Sequence, residues 1–203
     1  MLIIGLTGTT GSGKGYVSSF LSSDESVIID TDKVYHTMIS QPGECVNALV
    51  SEFGDSVLNE NGGIDRTELS RIVFSDRERL AALNAITHKM ILERTREIIS
   101  ESNDKRYVIV DAPLLFESGF DRECDITLGV IANRDIRIDR IMKRDSISEK
   151  RALARIENQK DDSWFFENCD YVIVNDGCDI SDQINYFKKE MIRLYGEKEK
   201  KEA

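Results

Sequence analysis

The sequence predicts an α/β fold, a five-stranded parallel sheet covered by helices on both faces. Two observations carry this. Five short apolar runs, at residues 2–7, 26–30, 107–110, 126–131 and 171–174, alternate with segments whose apolar residues recur at helical spacing. Glycines and carboxylates then sit at the ends of four of these runs: Gly8, Asp30 and Asp32, Asp111, and Asn175 with Gly177. Those are the carboxyl ends of the strands, where an open α/β sheet binds its ligands.

The first run, LIIGLT, reads as a buried strand and not a leader, because no charged segment precedes it and glycines follow at once. Residues 14–22 read as a helix with Val17, Phe20 and Leu21 on one side. The second strand ends in a carboxylate, and residues 33–53 are helical with a break at Pro42 and Gly43. Residues 59–63, NENGG, form a loop. Helices follow at 66–74 and 77–100, the second carrying Leu80, Leu83, Ile86, Met90 and Ile91 near helical spacing. Between the fourth and fifth strands lie charged helices at 134–144 and 148–159, where Ser146 and Glu149 fit a capping box. Trp164, Phe165 and Phe166 are expected to pack a lid or the sheet edge. A last helix spans 180–195, and the charged tail at 197–203 is expected to fray.

At 203 residues the chain suits one domain and can bury a core without disulfides or a structural metal. The expected arrangement over 1–203 is a three-layer α/β/α domain. A sheet-bearing core covers 1–32, 101–136 and 166–195, a helical cap 33–100, and a lid 137–165. The net charge of −10 argues against a nucleic-acid-coating surface, yet leaves room for a local basic pocket. Cys45, Cys124, Cys169 and Cys178 show no CxxC or zinc spacing, which predicts reduced thiols in a reducing compartment. No run of 18 apolar residues occurs, so no membrane span is predicted, and the expected location is the cytoplasm.

The strongest chemical signal is GTTGSGK at 8–14: Gly8, Thr9, Thr10, Gly11, Ser12, Gly13 and Lys14, placed after a strand and before a helix. Such glycines let backbone N–H groups curl around phosphate oxygens at a helix N-terminus, and the lysine reaches the β- and γ-phosphates. The next position, which usually supplies a hydroxyl to Mg²⁺, is Gly15, followed by Tyr16. Magnesium can ride on the nucleotide phosphates with few protein ligands. The strand ending at Asp111 has the shape of one that places a carboxylate on the metal's water shell, or one that merely caps the next segment. Asp30 and Asp32, read by strand alternation, point the same way. Asp32 is then a base for an attacking hydroxyl and a metal-side carboxylate, with helix capping as the plain alternative for Asp30. Arg137, Arg140 and Arg144 share one helical face. Arg140 and Arg144 are candidates to cover the phosphates, with Arg155 a similar one, whereas Arg137 reads as an ordinary ion-pair residue. His36 and His88 are each read as core or cap hydrogen-bonders at least as readily as site residues.

Taken together, these motifs resemble the dephospho-coenzyme A kinase family of P-loop enzymes. The resemblance covers roughly residues 3–190: the phosphate loop, DTD at 30–32, GGIDRTEL at 62–69, LNAITH at 83–88, DAPLLFESG at 111–119, RIMKRD at 140–145, RIENQ at 155–159 and DYVIVNDG at 170–177. It implies a P-loop NTPase fold and transfer of the γ-phosphoryl group of ATP, with Mg²⁺, to the ribose 3′-hydroxyl of dephospho-CoA. The substrates would be ATP and dephospho-CoA, with no nucleic acid and no membrane. Asp32, Lys14 and Arg140 match catalytic positions. The loop residues through Gly15 and Tyr16, with Arg140, Arg144, Asn175 and Gly177, match the nucleotide site. Asp32, His36, Arg66, His88, Leu114, Leu115, Phe116 and Glu117 match the acceptor side, and Asp32 and Asp111 the metal. Gly15 and Tyr16 depart from the family pattern, as do His36, Lys89 and Phe165, the last standing where a lid lysine is usual. Two alternatives follow from the departures: a nucleotide- or CoA-binding relative with little turnover, and a kinase for another small acceptor.

Overall fold

Period-two alternation along the strands sorts their side chains into two cores. The structure, a computed structural model, describes residues 1–74 and 76–202. Its strands are β1 (Leu2–Gly8), β2 (Ser26–Asp30), β3 (Tyr107–Asp111), β4 (Ile126–Ile131) and β5 (Tyr171–Val174). Its helices are α1 (Lys14–Leu21), α2 (Thr31–Ser40), α3 (Glu44–Phe53), α4 (Arg66–Val73), α5 (Arg77–Glu101), α6 (Arg134–Asp145), α7 (Glu149–Glu157), α8 (Asp162–Asn168) and α9 (Ser181–Glu202). The chain divides into two compact units. One is Met1–Ile29 with the chain from Ser102 onward, and the other is Asp30–Glu101.

The first unit holds a parallel sheet in the order β2-β3-β1-β4-β5. Every residue of β3 and β4 is buried, as strands covered on both faces must be, while the edge strands β2 and β5 are only part-buried. On one face Leu2, Ile4, Leu6, Ile109, Leu128 and Ile173 meet Val17 and Leu21 of α1 and Ile184, Phe187 and Met191 of α9. Each large apolar side chain buried this way contributes about 1.5–3 kcal/mol before chain entropy is counted. On the other face Gly5 lies under Leu115 and Cys124, and Gly129 lies under Phe165 and Cys169. A side chain at either glycine would collide with those groups.

Helices α6 and α7 pair over Ile138, Ile141 and Ala152. The capping box expected from Ser146 and Glu149 does not form. Ser146 adopts the left-handed conformation (φ 51°) that ends α6, and Ser148 is the N-cap of α7, without a side-chain bond. Only three residues join the two helices, and one of them must turn the chain. Helix α8 is too short to show a period in the sequence. It starts at Asp161, whose carboxylate accepts the Trp164 N–H at 2.9 Å, and it buries Phe165 against Ile131 and Cys169 while Phe166 stays exposed. The tail does not fray at 197: α9 continues to Glu202, held by Lys198 on Asp125 at 2.7 Å and Arg193 on Glu197 at 2.7 Å, and Ala203 lies outside the described residues.

The second unit is helical. Its core gathers Ile39, Val46, Leu49, Phe53, Leu69 and Val73, against which Leu80, Leu83, Ile86 and Met90 of α5 pack. Strand alternation does not govern Asp30 and Asp32. Asp30 ends β2 and caps α2, accepting the Lys33 N–H at 3.1 Å, so Asp32 is already helical and exposed. Asp65 caps α4 by accepting from the N–H groups of Thr67 and Glu68. All four cysteines are free thiols: Cys45 and Cys169 buried, Cys124 part-buried, Cys178 exposed. Among the described residues no helix is long and apolar enough to cross a membrane.

Candidate active site

Five residues, 9–13, join β1 to α1, and the carbonyls of Thr10, Gly11 and Ser12 are bonded to side chains outside the loop. Thr10 C=O accepts from Arg137 Nε at 2.9 Å. Gly11 and Ser12 C=O accept from Arg140 Nη1 at 3.2 and 3.1 Å, and Ser12 C=O also accepts from Asn175 Nδ2 at 2.7 Å. The close approach needs the glycines. At Gly11 (φ +80°) a Cβ would strike the backbone of Arg137, and at Gly13 (φ +87°) it would strike the Asn175 amide. With the carbonyls held outside, the N–H groups of Gly11, Gly13 and Gly15 take no protein acceptor among the described residues. Three free donors at the N-terminus of a helix form a cradle for an anion. The hydroxyls of Thr9 and Ser12 are buried there without partners.

Lys14, at the first position of α1, forms an ion pair with Asp111, the last residue of β3, and both side chains are mostly buried. Asn175 is fixed by its own N–H, which donates to Ile131 C=O at 2.9 Å, and Asp176 Oδ1 accepts the Asn133 N–H at 2.5 Å. These bonds tie the end of β5 to the start of α6. Gly177 follows at φ +83° with open space around it.

Arg137 is only 4% exposed. Burial pushes its guanidinium below the usual arginine value, and Asp162, at 4.0 Å, partly offsets this. Arg137 is therefore no surface ion-pair residue: it sits against the loop. Arg144 is placed differently. Its guanidinium is bonded to Asp145 at 2.8 and 2.9 Å, not to a loop carbonyl, and Arg155 pairs with the same carboxylate. The bonds from Arg144, reinforced by Arg155, hold Asp145 down at about 2.

A cavity of about 380 Å³ opens beside the loop, lined by Gly8, Pro113, Leu114, Glu117, Gln159 and Trp164 among others. Phe116 stands edge-on to Trp164 with ring centroids 4.9 Å apart, and Lys160 lies 5.3 Å from the Trp164 centroid. Leu114 and Glu117 are exposed at this cavity, but Leu115 is fully buried under the sheet. Its neighbour Gly5 left space that only a core side chain fills, so Leu115 supports the site from below instead of lining it. In the second unit, His36 and Arg66 line one cavity of about 410 Å³ with Ile39 and Ile64. His88 is half-buried on α5 and does not line it. Tyr16 is exposed, its ring edge-on to Phe20.

Gln159 was not marked by any pattern in the sequence. Its Oε1 accepts the Thr10 N–H at 2.9 Å and Arg137 Nη2 at 2.9 Å. The one sequence signal was its place at the end of RIENQ, which says nothing about what it bonds.

The family model described as dephospho-CoA kinase matches residues 2–181. A protein of Fusobacterium nucleatum named dephospho-CoA kinase is 38% identical over 175 residues, 86% of this chain and 90% of that one. A crystal structure from Thermus thermophilus superposes with TM-score 0.79 at 30% identity, covering 95% of this chain and 96% of that one. Dephospho-CoA kinase from Campylobacter jejuni gives TM-score 0.56 at 25% identity, covering 96% of each chain.

Proposed function

The chain belongs to the dephospho-CoA kinase family, and from that premise we propose how its residues divide the work. It is a dephospho-CoA kinase, an enzyme that moves the γ-phosphoryl group of ATP to the ribose 3′-hydroxyl of dephospho-CoA. The observation that carries the site assignment is the loop at 9–13, with the carbonyls of Thr10, Gly11 and Ser12 bonded to Arg137, Arg140 and Asn175 and the N–H groups of Gly11 and Gly13 left without a protein acceptor among the described residues.

In our reading the free N–H groups take the β-phosphate oxygens of ATP. Lys14 exchanges part of its contact with Asp111 for the β- and γ-phosphates. Arg140 adds positive charge beside the loop. Asp32 accepts the proton of the 3′-hydroxyl as its oxygen bonds to phosphorus and the bond from phosphorus to the β–γ bridging oxygen breaks. In the first unit Leu114, Phe116 and Glu117, which line the cavity beside the loop, are assigned to the acceptor. Mg²⁺ would neutralise charge on the transferring phosphates. Among the described residues no three His, Cys, Asp or Glu side chains cluster as a metal site. Asp111, paired with Lys14 at the start of α1, could then hold the ion's water shell, the phosphates supplying the remaining ligands.

The test is ADP release from ATP and Mg²⁺, with and without dephospho-CoA, using Lys14→Ala as the blank. Acceptor-dependent release that disappears in the blank is expected. Release that is equal with and without the acceptor overturns the acceptor assignment. Release unchanged in Lys14→Ala overturns the loop assignment.

A further inference from the structure

The backbone of Thr10 is gripped at both its N–H and its C=O by one closed ring of hydrogen bonds. Its N–H donates to Gln159 Oε1 at 2.9 Å, Arg137 Nη2 donates to that same oxygen at 2.9 Å, and Arg137 Nε donates to the Thr10 C=O at 2.9 Å. Two donors converge on one atom, so that atom must be the amide oxygen of Gln159. The partners come from three places in the sequence: the loop, the second turn of α6, and the residue two past the end of α7. Arg137 is almost fully buried, and among the described residues the carboxylate it pairs with is Asp162, at 4.0 Å. A buried guanidinium is costly unless its donors are used, and here they are used on the loop.

We infer that Gln159 and Arg137 are positioning residues for the phosphate loop, setting the Thr10 peptide so that the amides after it stay turned toward the nucleotide. The physical reason is a choice open to every peptide unit. Released from the ring, the peptide plane that joins the Thr10 C=O to the Gly11 N–H can rotate and carry that N–H away from the cradle, at little cost because Gly11 has no Cβ. The ring removes that freedom before nucleotide arrives, so binding does not have to order the loop. It also ties the end of α7 to the loop. Neither residue need touch a phosphate for this effect. The inference rests on the reading that this loop holds the phosphates of ATP.

The experiment measures ADP affinity by calorimetry, KM for ATP, KM for dephospho-CoA and the melting temperature on the full chain. The variants are Gln159→Ala, Gln159→Met, Gln159→Glu, Arg137→Ala and the double variant Gln159→Ala/Arg137→Ala. Gln159→Met keeps the bulk and removes the acceptor oxygen. We expect Gln159→Ala and Gln159→Met each to weaken ADP binding and raise KM for ATP by about tenfold. KM for ATP should rise by more than KM for dephospho-CoA, because Gln159 also lines the cavity beside the loop. Gln159→Glu, whose carboxylate can accept both N–H groups, should restore most of the affinity. The double variant should lose little more than Arg137→Ala, because one ring is broken only once. Unchanged ADP affinity in Gln159→Ala and Gln159→Met overturns the inference. So does a loss that follows the melting temperature alone, or one that is additive in the double variant. Failure of the kinase reading is separable. A wild type that binds ADP but shows no acceptor-dependent turnover overturns that reading, while the ADP series still decides this one. A wild type that does not bind ADP overturns both.

Discussion

At Gly15 the helix that follows the phosphate loop carries no side chain, and a Cβ placed there meets nothing within 4 Å. The hydroxyl common at this position is therefore absent without steric cause, and it can be restored. Gly15→Ser is expected to fold, to gain about 0.5 kcal/mol of helix propensity, and to lower the Mg²⁺ concentration that half-saturates turnover. A titration that matches wild type would mean the metal is held without residue 15. Lys14→Ala removes both a phosphate-seeking cation and the partner of a mostly buried carboxylate. We expect kcat/KM for ATP to drop by at least about 10²-fold, with a lowered melting temperature from the lost ion pair. The lysine, the glycines and Asp111 were legible in the sequence because loop chemistry dictates their spacing. Arg137 was not. On a helical wheel it lies among acids and reads as a surface pair, and only the fold shows that its face is turned to the loop.

At the scale of elements, caps separate what pattern can and cannot tell. Asp65 was not singled out, yet its one carboxylate satisfies two N–H groups that would otherwise open α4, so Asp65→Ala should cost about 1 kcal/mol in urea unfolding. No change in the midpoint would show that water replaces the cap. Asp30 and Asp32 looked like neighbours on one strand face. The helix that begins at Thr31 ends that alternation, because the Asp30 carboxylate is spent on the Lys33 N–H. In the α6–α7 hairpin, Ile141 is fully buried opposite Ala152. Ile141→Ala should cost about 2–5 kcal/mol and loosen the segment that carries Gln159. Protection of the α7 amides in hydrogen exchange would be the measurement, and undiminished protection would contradict it.

Across the whole molecule the thiols report on burial and on pH. Burial holds both Cys124 and Cys169 up at about 12, with nearby carboxylates adding to it. In the unfolded chain they ionise near 8.5. Between those values the native state binds more protons than the unfolded state, so stability is intact below about pH 8.5 and falls as pH rises toward 12. Thermal melts from pH 8 to 11 should show this decline, and Cys124→Ala should make it shallower. An equal slope would place the loss elsewhere. Alkylation under native conditions should label exposed Cys178 first, and the buried Cys45 and Cys169 only as the chain opens. The strands and most helix limits were readable because buried parallel strands are unbroken apolar runs between turn residues. Helix α8 was not, being under two turns long, and α9 outran its apolar pattern with the help of ion pairs such as Lys198 with Asp125.

By itself the sequence determined the order of strands and helices, the phosphate loop and the family resemblance. Those depend on local spacing: period two, period 3.6, and glycines where backbone must meet backbone. The tertiary structure alone decided which partners close on the loop. Thr10, Arg137 and Gln159 are separated by 127 and 22 residues, and hydrogen bonds across such distances leave no periodic trace. It also decided that Leu115 belongs to the core beside Gly5 and that Arg144 is committed to Asp145. A side chain's chemistry is written in the chain, but its partner is chosen by packing.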